Sequence, residues 1–500
     1  MKLPSSVYNW TSVIGAVIAI ISLFMIVFLI VVSLFIEVTS SYLGIVIYII
    51  LPIFLILGLI LIPIGMVRKR RRQRKQGEFG LQRWPKVDLN LKQHRNAFSI
   101  FVISSTAFLF LSAIGTYEAF HFSESVEFCG KVCHNVMHPE YITYQNSAHA
   151  RVACVECHVG SGADWYVRSK LSGLYQVYSV LFKKYPKPIP TPIRDLRPAQ
   201  ETCEKCHWPE QFYAHKLRTE RHYLADEDNT EWDIVLKMKI GSEYHALGLE
   251  EGIHWHINPN VQIDYATDPE DPESIPWVRY TNLETGEVHT YTDEENMPDQ
   301  EMTAEDKLRH MDCIDCHNRP SHEYYSPPFF TDHSLTRGDI PRALPDIKQV
   351  AMDLLYGGYE NTDTAMIIIE SNIKEYYEIM YPEIYEEQFP LIEKAISGIQ
   401  EDFRQNMFPE MKAQWDVYPN NIGHINSEGC YRCHSDRHKS PSGRVISKDC
   451  NLCHDILAQG YPDQLNMAGV RDSLEFTHPI DIGEAWKEFH CVDCHRYLYQ

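Results

Sequence analysis

All fourteen cysteines of this 500-residue chain fall into seven pairs, and a histidine directly follows each pair. Six clusters read C-x-x-C-H: Cys154/Cys157/His158, Cys203/Cys206/His207, Cys313/Cys316/His317, Cys430/Cys433/His434, Cys450/Cys453/His454 and Cys491/Cys494/His495. The first, Cys129/Cys133/His134, is stretched to C-x3-C-H. This spacing is that of covalent heme c attachment. Two thiols add across the heme vinyl groups, and the adjacent histidine is placed to ligate the iron. Chance would give about 0.02 such motifs in a chain of this composition. A zinc ribbon pairs C-x-x-C units without a histidine after each, and a disulfide framework has no use for that histidine. Seven covalently bound hemes c are expected.

Each iron has a second axial position. The chain has 24 histidines. Setting aside seven motif histidines and His94 in a basic loop leaves sixteen candidates. The selected distal ligands are His149, His322, His424, His438 and His478, with His254 or His256, and His310 ranked below them. In Ile253-His-Trp-His-Ile257 the two histidines stand at i and i+2, on one face of an expected strand. One of them can reach a heme; the alternative is that both lie on the surface. The chain has no C-x-x-C-K motif, and its histidines suffice to cap every iron. Both observations disfavour a terminal reductase, which needs an open iron position.

These motifs need a scaffold, and the N-terminus supplies its anchor. Residues 12–36 and 42–67 are apolar and uncharged, and a third such run covers residues 98–117. Each is long enough to cross a bilayer as a helix. The short segment Glu37–Ser41 between the first two predicts a helical hairpin rather than a cleaved signal peptide. Residues 68–97 carry eleven lysines and arginines against two acids, which places this loop in the cytoplasm. The third span then exits to the periplasm, where heme c is attached, and every motif follows it. The whole chain carries a net charge of −21; the portion from residue 98 onward carries −30. Such a surface disfavours nucleic acid and suits basic protein partners.

The fold class expected is therefore a membrane-anchored multiheme cytochrome c: three transmembrane helices and a mainly α/coil periplasmic heme domain with a small β insertion. Its segments are a hairpin (1–67), a basic cytoplasmic loop (68–97), a third span (98–117), a triheme region (118–230), a β insertion (231–299), a fourth-heme segment (300–341), a helical layer (342–416) and a C-terminal triheme region (417–500). Hydrophobic residues are too sparse over the first triheme region for an ordinary core, so the hemes themselves are expected to form it, wrapped by short helices and loops. The β insertion rests on alternation at Asp233–Ile240, His254–Tyr265, Ile275–Tyr280 and Glu287–Tyr291. The layer rests on three- and four-residue spacing over Ala343–Tyr356, Asp363–Met380 and Pro382–Met407.

One span leading into Cys129-Gly-Lys-Val-Cys133-His-Asn-Val-Met137, then His149, Cys154-Val-Glu-Cys157-His158, Lys170 and Cys203-Glu-Lys-Cys206-His207, resembles the NapC/NirT family of membrane-anchored quinol dehydrogenases. The resemblance covers roughly residues 98–325. It implies menaquinol as diffusible substrate, periplasmic c-type cytochromes as acceptors, an inner-membrane location and a possible homo-oligomer. In that family a methionine near the first motif can ligate its iron, so either Met137 or His134 is expected there. The family also places a lysine and an acidic side chain at the quinol pocket. Lys170 fits the first, and Gln176 stands at the second, where it can orient an oxygen but not take a proton. Helical-looking Trp165–Phe182 can lie along the interface, with Tyr175 and Tyr178 at headgroup level. Family members usually carry one span and four or five hemes, so the hairpin and the three C-terminal motifs are departures. Two other roles compete: an anchoring subunit that feeds a separate reductase, and a multiheme terminal reductase.

Overall fold

The computed structural model describes residues 8–35, 46–75, 88–132, 134–160, 163–191, 198–208, 215–241, 252–268, 271, 273–298, 301–496 and 498–499. Glu37–Ser41, the basic loop from 76 to 87 and Cys133 lie outside them. The chain forms two compact units. The smaller comprises residues 1–138 with 153–155, the larger residues 139–152 with 156–500.

In the smaller unit, α1 (Trp10–Phe35) packs along α2 (Leu51–Lys75). Small residues let the two backbones approach closely. A Cβ on Gly15 would lie 2.6 Å from the Gly58 carbonyl oxygen, and one on Gly58 would lie 2.7 Å from the Ala19 nitrogen. Ser12 Oγ donates to the Ile62 carbonyl at 2.8 Å, so its hydroxyl is satisfied inside the pair. The outward faces are apolar, with Phe24, Phe28, Ile53 and Phe54 exposed. The stretches Trp10–Leu29 and Leu51–Gln73 are long and apolar enough to cross a membrane. A third helix, α3 (Lys92–Glu124), also exposes large apolar side chains such as Ile103, Leu109 and Phe110. Ser125 then caps the short helix Val126–Lys131, accepting from the Phe128 amide at 3.1 Å, and this helix carries Cys129.

The larger unit holds helix α4 (Ala163–Leu181), two antiparallel sheets and a helical layer. The first sheet has the order β1 (His215–Tyr223), β2 (Glu231–Lys239), β8 (His454–Gly460), β9 (Asn466–Met467). The second runs β6 (Arg309–His310), β3 (Val261–Ala266), β4 (Trp277–Asn282), β5 (Val288–Asp293), β7 (His438–Lys439). Strands therefore come from outside 231–299, and they touch the motifs. β8 starts on His454, β6 ends three residues before Cys313, and β7 begins four residues after His434. The strand expected over His254–Tyr265 begins only at Val261. Ile253–Ile257 is instead a 3₁₀ turn.

The helical layer comprises α5 (Pro327–Arg337), α6 (Ile347–Leu355), α7 (Thr362–Met380), a short helix Pro382–Glu387 and α8 (Phe389–Asn406). The sequence pattern reads the last two as one run. The chain breaks at Gln388 because Pro390 has no amide proton and fits only in a helix's first turn. Leu344, Ile347, Ala351, Leu355, Ile369, Ile373 and Phe403 are almost wholly buried between these helices. Each large aliphatic side chain among them contributes about 1.5–3 kcal/mol on leaving water. Asn229, in the β1–β2 connection, ties the first sheet to this layer. Its amide group donates to the Arg342 and Leu344 carbonyls at 3.1 and 2.9 Å and accepts from the Lys348 amide at 2.9 Å.

Candidate heme-binding centres

The motif residues sit on tightly specified local structure. At the fourth motif, Asp312 caps helix Cys313–Cys316 by accepting from the Ile314 amide, and Asp315 accepts back from the Asp312 amide at 2.6 Å. At the seventh, Asp493 accepts from the His490 amide at 2.8 Å across the start of Cys491–His495. At the fifth, only glycine fits before Cys430. A Cβ on Gly429 would lie 2.0 Å from the Gly423 oxygen, and its φ is +47°. No disulfide links the described cysteines.

Six motif histidines each face a second histidine. The ring centroids are 6.3 Å apart for His158 and His322, 6.0 Å for His207 and His149, and 6.3 Å for His317 and His254. They are 5.8 Å apart for His434 and His256, 6.3 Å for His454 and His424, and 6.0 Å for His495 and His478. An iron bound to two imidazoles through nitrogens at about 2.0 Å, each about 1.1 Å from its ring centroid, would hold the centroids about 6.2 Å apart. The residues present thus leave a gap the size of one iron at six places.

Protonation agrees with ligation. In five of the second histidines Nδ1 meets a backbone carbonyl: His149 to Pro320 at 2.9 Å, His254 to Ile240 at 2.7 Å, His256 to Ile253 at 2.8 Å, His322 to Glu140 at 2.9 Å and His478 to Ile480 at 2.9 Å. A carbonyl only accepts, so in His149, His254, His256 and His322 the proton resides on Nδ1, the tautomer expected of a histidine that binds a metal through Nε2; at His478 the Ile480 amide also approaches Nδ1, at 3.2 Å. Burial lowers the proton affinity of His158, His254, His256, His317, His434, His454 and His495, and brings His424 down to about 4. Neutral imidazoles result. A cavity of about 150 Å³, lined in part by His256, Met311 and Cys313, adjoins the His256–His434 pair.

The structure pairs the histidines selected from the sequence differently in places. His438 joins none of these pairs: it is fully buried, its Nε2 donates to the Ile275 carbonyl at 2.7 Å, and its Nδ1 has no hydrogen-bond partner. Its place is taken by His256. A choice between His254 and His256 assumed a strand, where both would share a face. On a 3₁₀ turn, at about 120° per residue, they diverge, and each faces a different motif. His310 lies 3.3 Å from Asp264 instead. At the first motif, Cys133 and the His134 side chain lie outside the described residues, and Met137 is half-buried.

The polypeptide covers the attachment cysteines to different degrees. Cys494 is exposed, and so are Cys206 and Cys450, whereas the other described motif cysteines are half-buried. The reason is local. Cys494 lies in the single turn Cys491–His495, which buries Val492 and turns Asp493 and Cys494 outward. Cys450 opens the 3₁₀ turn Cys450–Leu452, and Cys206 follows the one-turn helix Ala199–Cys203. One turn covers only one side of its own residues, so the polypeptide leaves these three thiols uncovered.

The cysteines order the motifs. In the smaller unit the Cys129 and Cys154 sulfurs lie within hydrogen-bond reach. In the larger unit Cys203 has the same relation to Cys313, with Cys157 also near it. Cys430 lies near Cys316 and Cys453, and Cys450 lies near Cys491. From the second motif to the seventh, successive attachment points are neighbours.

Lys170 is half-buried and Gln176 exposed on α4. Six residues apart, they stand about 120° around the helix from each other. The two side chains therefore leave the helix in different directions. Val167, Leu171, Leu174, Tyr175, Val177, Tyr178 and Leu181 form an exposed apolar arc of about 160° on the same helix.

Residues 92–189 match the N-terminal region of the NapC/NirT cytochrome c family. The chain is 40% identical over 497 residues to the cytochrome c-type protein ImcH of Geobacter sulfurreducens, covering 99% of this chain and 96% of that protein. It is 30% identical over 118 residues to the cytochrome c-type protein NrfH of Wolinella succinogenes, covering 22% of this chain and 67% of that protein. No solved structure matches it. A NapC/NirT match that starts in the helix before the first Cys–Cys–His cluster, a near full-length likeness to ImcH and an apolar N-terminal hairpin agree on one assignment: the chain belongs to the NapC/NirT family of membrane-anchored, electron-transporting c-type cytochromes.

Proposed function

We propose that the protein is an inner-membrane menaquinol dehydrogenase that delivers electrons to periplasmic c-type cytochromes through seven hemes. The observation that carries this reading is the set of six histidine pairs at iron-spanning distance. Irons held between these six pairs would be capped on both sides, which favours a wire over a terminal reductase. The fourteen cysteines would hold the groups covalently, and His158, His207, His317, His434, His454 and His495 with their six partners would supply the ligating nitrogens. The bound heme supplies one-electron redox chemistry. The protein's own contribution is placement: sheet ends, capped helical turns and, at five of the second histidines, backbone carbonyls position the imidazoles.

The quinol site of this reading is on α4. A quinol's tail stays in lipid, so its head must be met at the interface. The apolar arc of α4 gives that helix a surface to lie there, with Tyr175 and Tyr178 as aromatic anchors. The Lys170 ammonium hydrogen-bonds the quinol oxygen and favours the anion that develops as protons leave. Gln176 has no part in that contact. In this reading residues 98–117 form a third span and the basic loop is cytoplasmic, with all seven motifs on the periplasmic side. The acidic surface from residue 98 onward steers basic partners.

The test is heme reduction in membranes driven by a menaquinol analogue, with and without a soluble periplasmic cytochrome. Lys170→Ala should slow quinol-driven reduction at least tenfold, while dithionite reduction and heme content stay intact. Wild-type rates in that variant would remove Lys170 from the quinol site. A wild-type protein whose hemes no quinol reduces would remove the dehydrogenase reading.

A further inference from the structure

The motif-6 pair, His424 with His454, differs from the other five. Both of its Nδ1 atoms are buried without a hydrogen bond to another residue, whereas every other distal histidine rests on a backbone carbonyl. A ring is in the carbonyl's place. Tyr431 stacks on His424 at 4.8 Å between centroids and 29° between planes. Its other face stacks on His490 at 4.4 Å and 27°, and its hydroxyl donates to the Cys491 sulfur. The contact is built into the backbone, because the Gly423–Gly429 approach that only glycine allows lays His424 beside Tyr431.

We propose that Tyr431 is the positioning residue of the motif-6 heme, orienting His424 by stacking where the other distal histidines are oriented by a carbonyl, and that this heme is thereby the high-potential member among the six. This rests on reading the paired histidines as axial ligands. An imidazole whose Nδ1 proton has an acceptor donates more charge to the metal. With no acceptor from another residue on either side, the iron would be poorer in electrons and its reduced form favoured. Tyr431 is not oxidised, and no bond forms or breaks. One electron arrives at this heme and one leaves. The side chain also ties three centres together. It belongs to the fifth motif, stacks on the ligand of the sixth and hydrogen-bonds the attachment sulfur of the seventh.

The experiment is a spectroscopic redox titration of the full-length protein with low-spin ferric EPR. His424→Met identifies the motif-6 component, which should be the highest-potential low-spin component of the wild type. Tyr431→Leu should shift the g-values and the potential of that component with the heme count unchanged. Tyr431→Phe, which keeps the ring, should leave its g-values in place. A motif-6 component that is not the highest in potential overturns the proposal even if the leucine variant fails to fold. Equal effects of Leu and Phe overturn it as well. A His424→Met spectrum identical to wild type sinks the ligand reading, and the proposal with it.

Discussion

Replacing Asp402 by Asn should change stability by an amount that depends on pH. Asp402 lies in α8 and is only 5% exposed. One carboxylate oxygen accepts from Ser334 Oγ at 2.8 Å, and the other is buried without a partner. Burial lifts its pKa from an ordinary 3.8 to about 7. A raised carboxyl pKa means that the unfolded chain ionises first. The folded state therefore loses stability as pH rises from about 4 and levels off above about 7. At about 1.36 kcal/mol per pH unit, the full cost at pH 8 is about 4 kcal/mol, and at pH 4.5 it is under about 1 kcal/mol. Asparagine keeps the bond from Ser334 and leaves one buried amide donor unpaired, much as a protonated aspartic acid leaves one unpaired hydroxyl. The two should be nearly equal at pH 4.5. At pH 8 the variant should be more stable by up to about 4 kcal/mol. Urea unfolding of the detergent-solubilised protein, followed by helical circular dichroism at both pH values, measures this. A midpoint difference that is the same at pH 4.5 and pH 8 would refute the reasoning.

His254→Ala and His256→Ala should each turn one heme high-spin, and a different heme in each case; the same spectral component lost in both would contradict the diverging turn. Lys348 and Asp332 form a buried ion pair, with side chains 1% and 7% exposed. Lys348→Met should cost about 3–5 kcal/mol by stranding the carboxylate, and adding Asp332→Leu should recover most of it, as urea midpoints would reveal. Intact mass should exceed the 58.1 kDa polypeptide by seven hemes; an excess of six would mean that the stretched Cys129/Cys133 site does not attach one.

What could be read in the sequence follows from how local each signal is. Heme attachment needs three residues within five or six positions, so motif and chemistry coincide in the text of the chain. Distal ligands carry no such mark. His256 meets His434 from far away in sequence, while His438, only four residues from His434, turns to a carbonyl. Nothing adjacent to either distinguishes a nitrogen facing iron from one facing a carbonyl. The alternation in Ile253-His-Trp-His-Ile257 suits a strand, but the turn held by the Gly252 carbonyl and the Trp255 amide at 2.9 Å overrides it. β8 is hidden because it starts on a motif histidine. The core helices were legible because apolar spacing alone drives them, and the break at Gln388 was marked by Pro390.

The pairing of histidines also sets an order of assembly. A chain exported from its N-terminus brings out His149 before His207, His254 before His317, His256 before His434, His424 before His454 and His478 before His495. In these five, if the pairs are the axial ligands proposed above, the cap would already be outside when the attachment site emerges. Among the six described pairs only His322 trails its partner, His158, and it arrives just behind the fourth motif. A heme at the second motif would then wait for its cap while more than 150 residues cross. A chain ending at residue 320 should hold its second heme high-spin and its third low-spin, and the opposite pattern would break this reading of the export order.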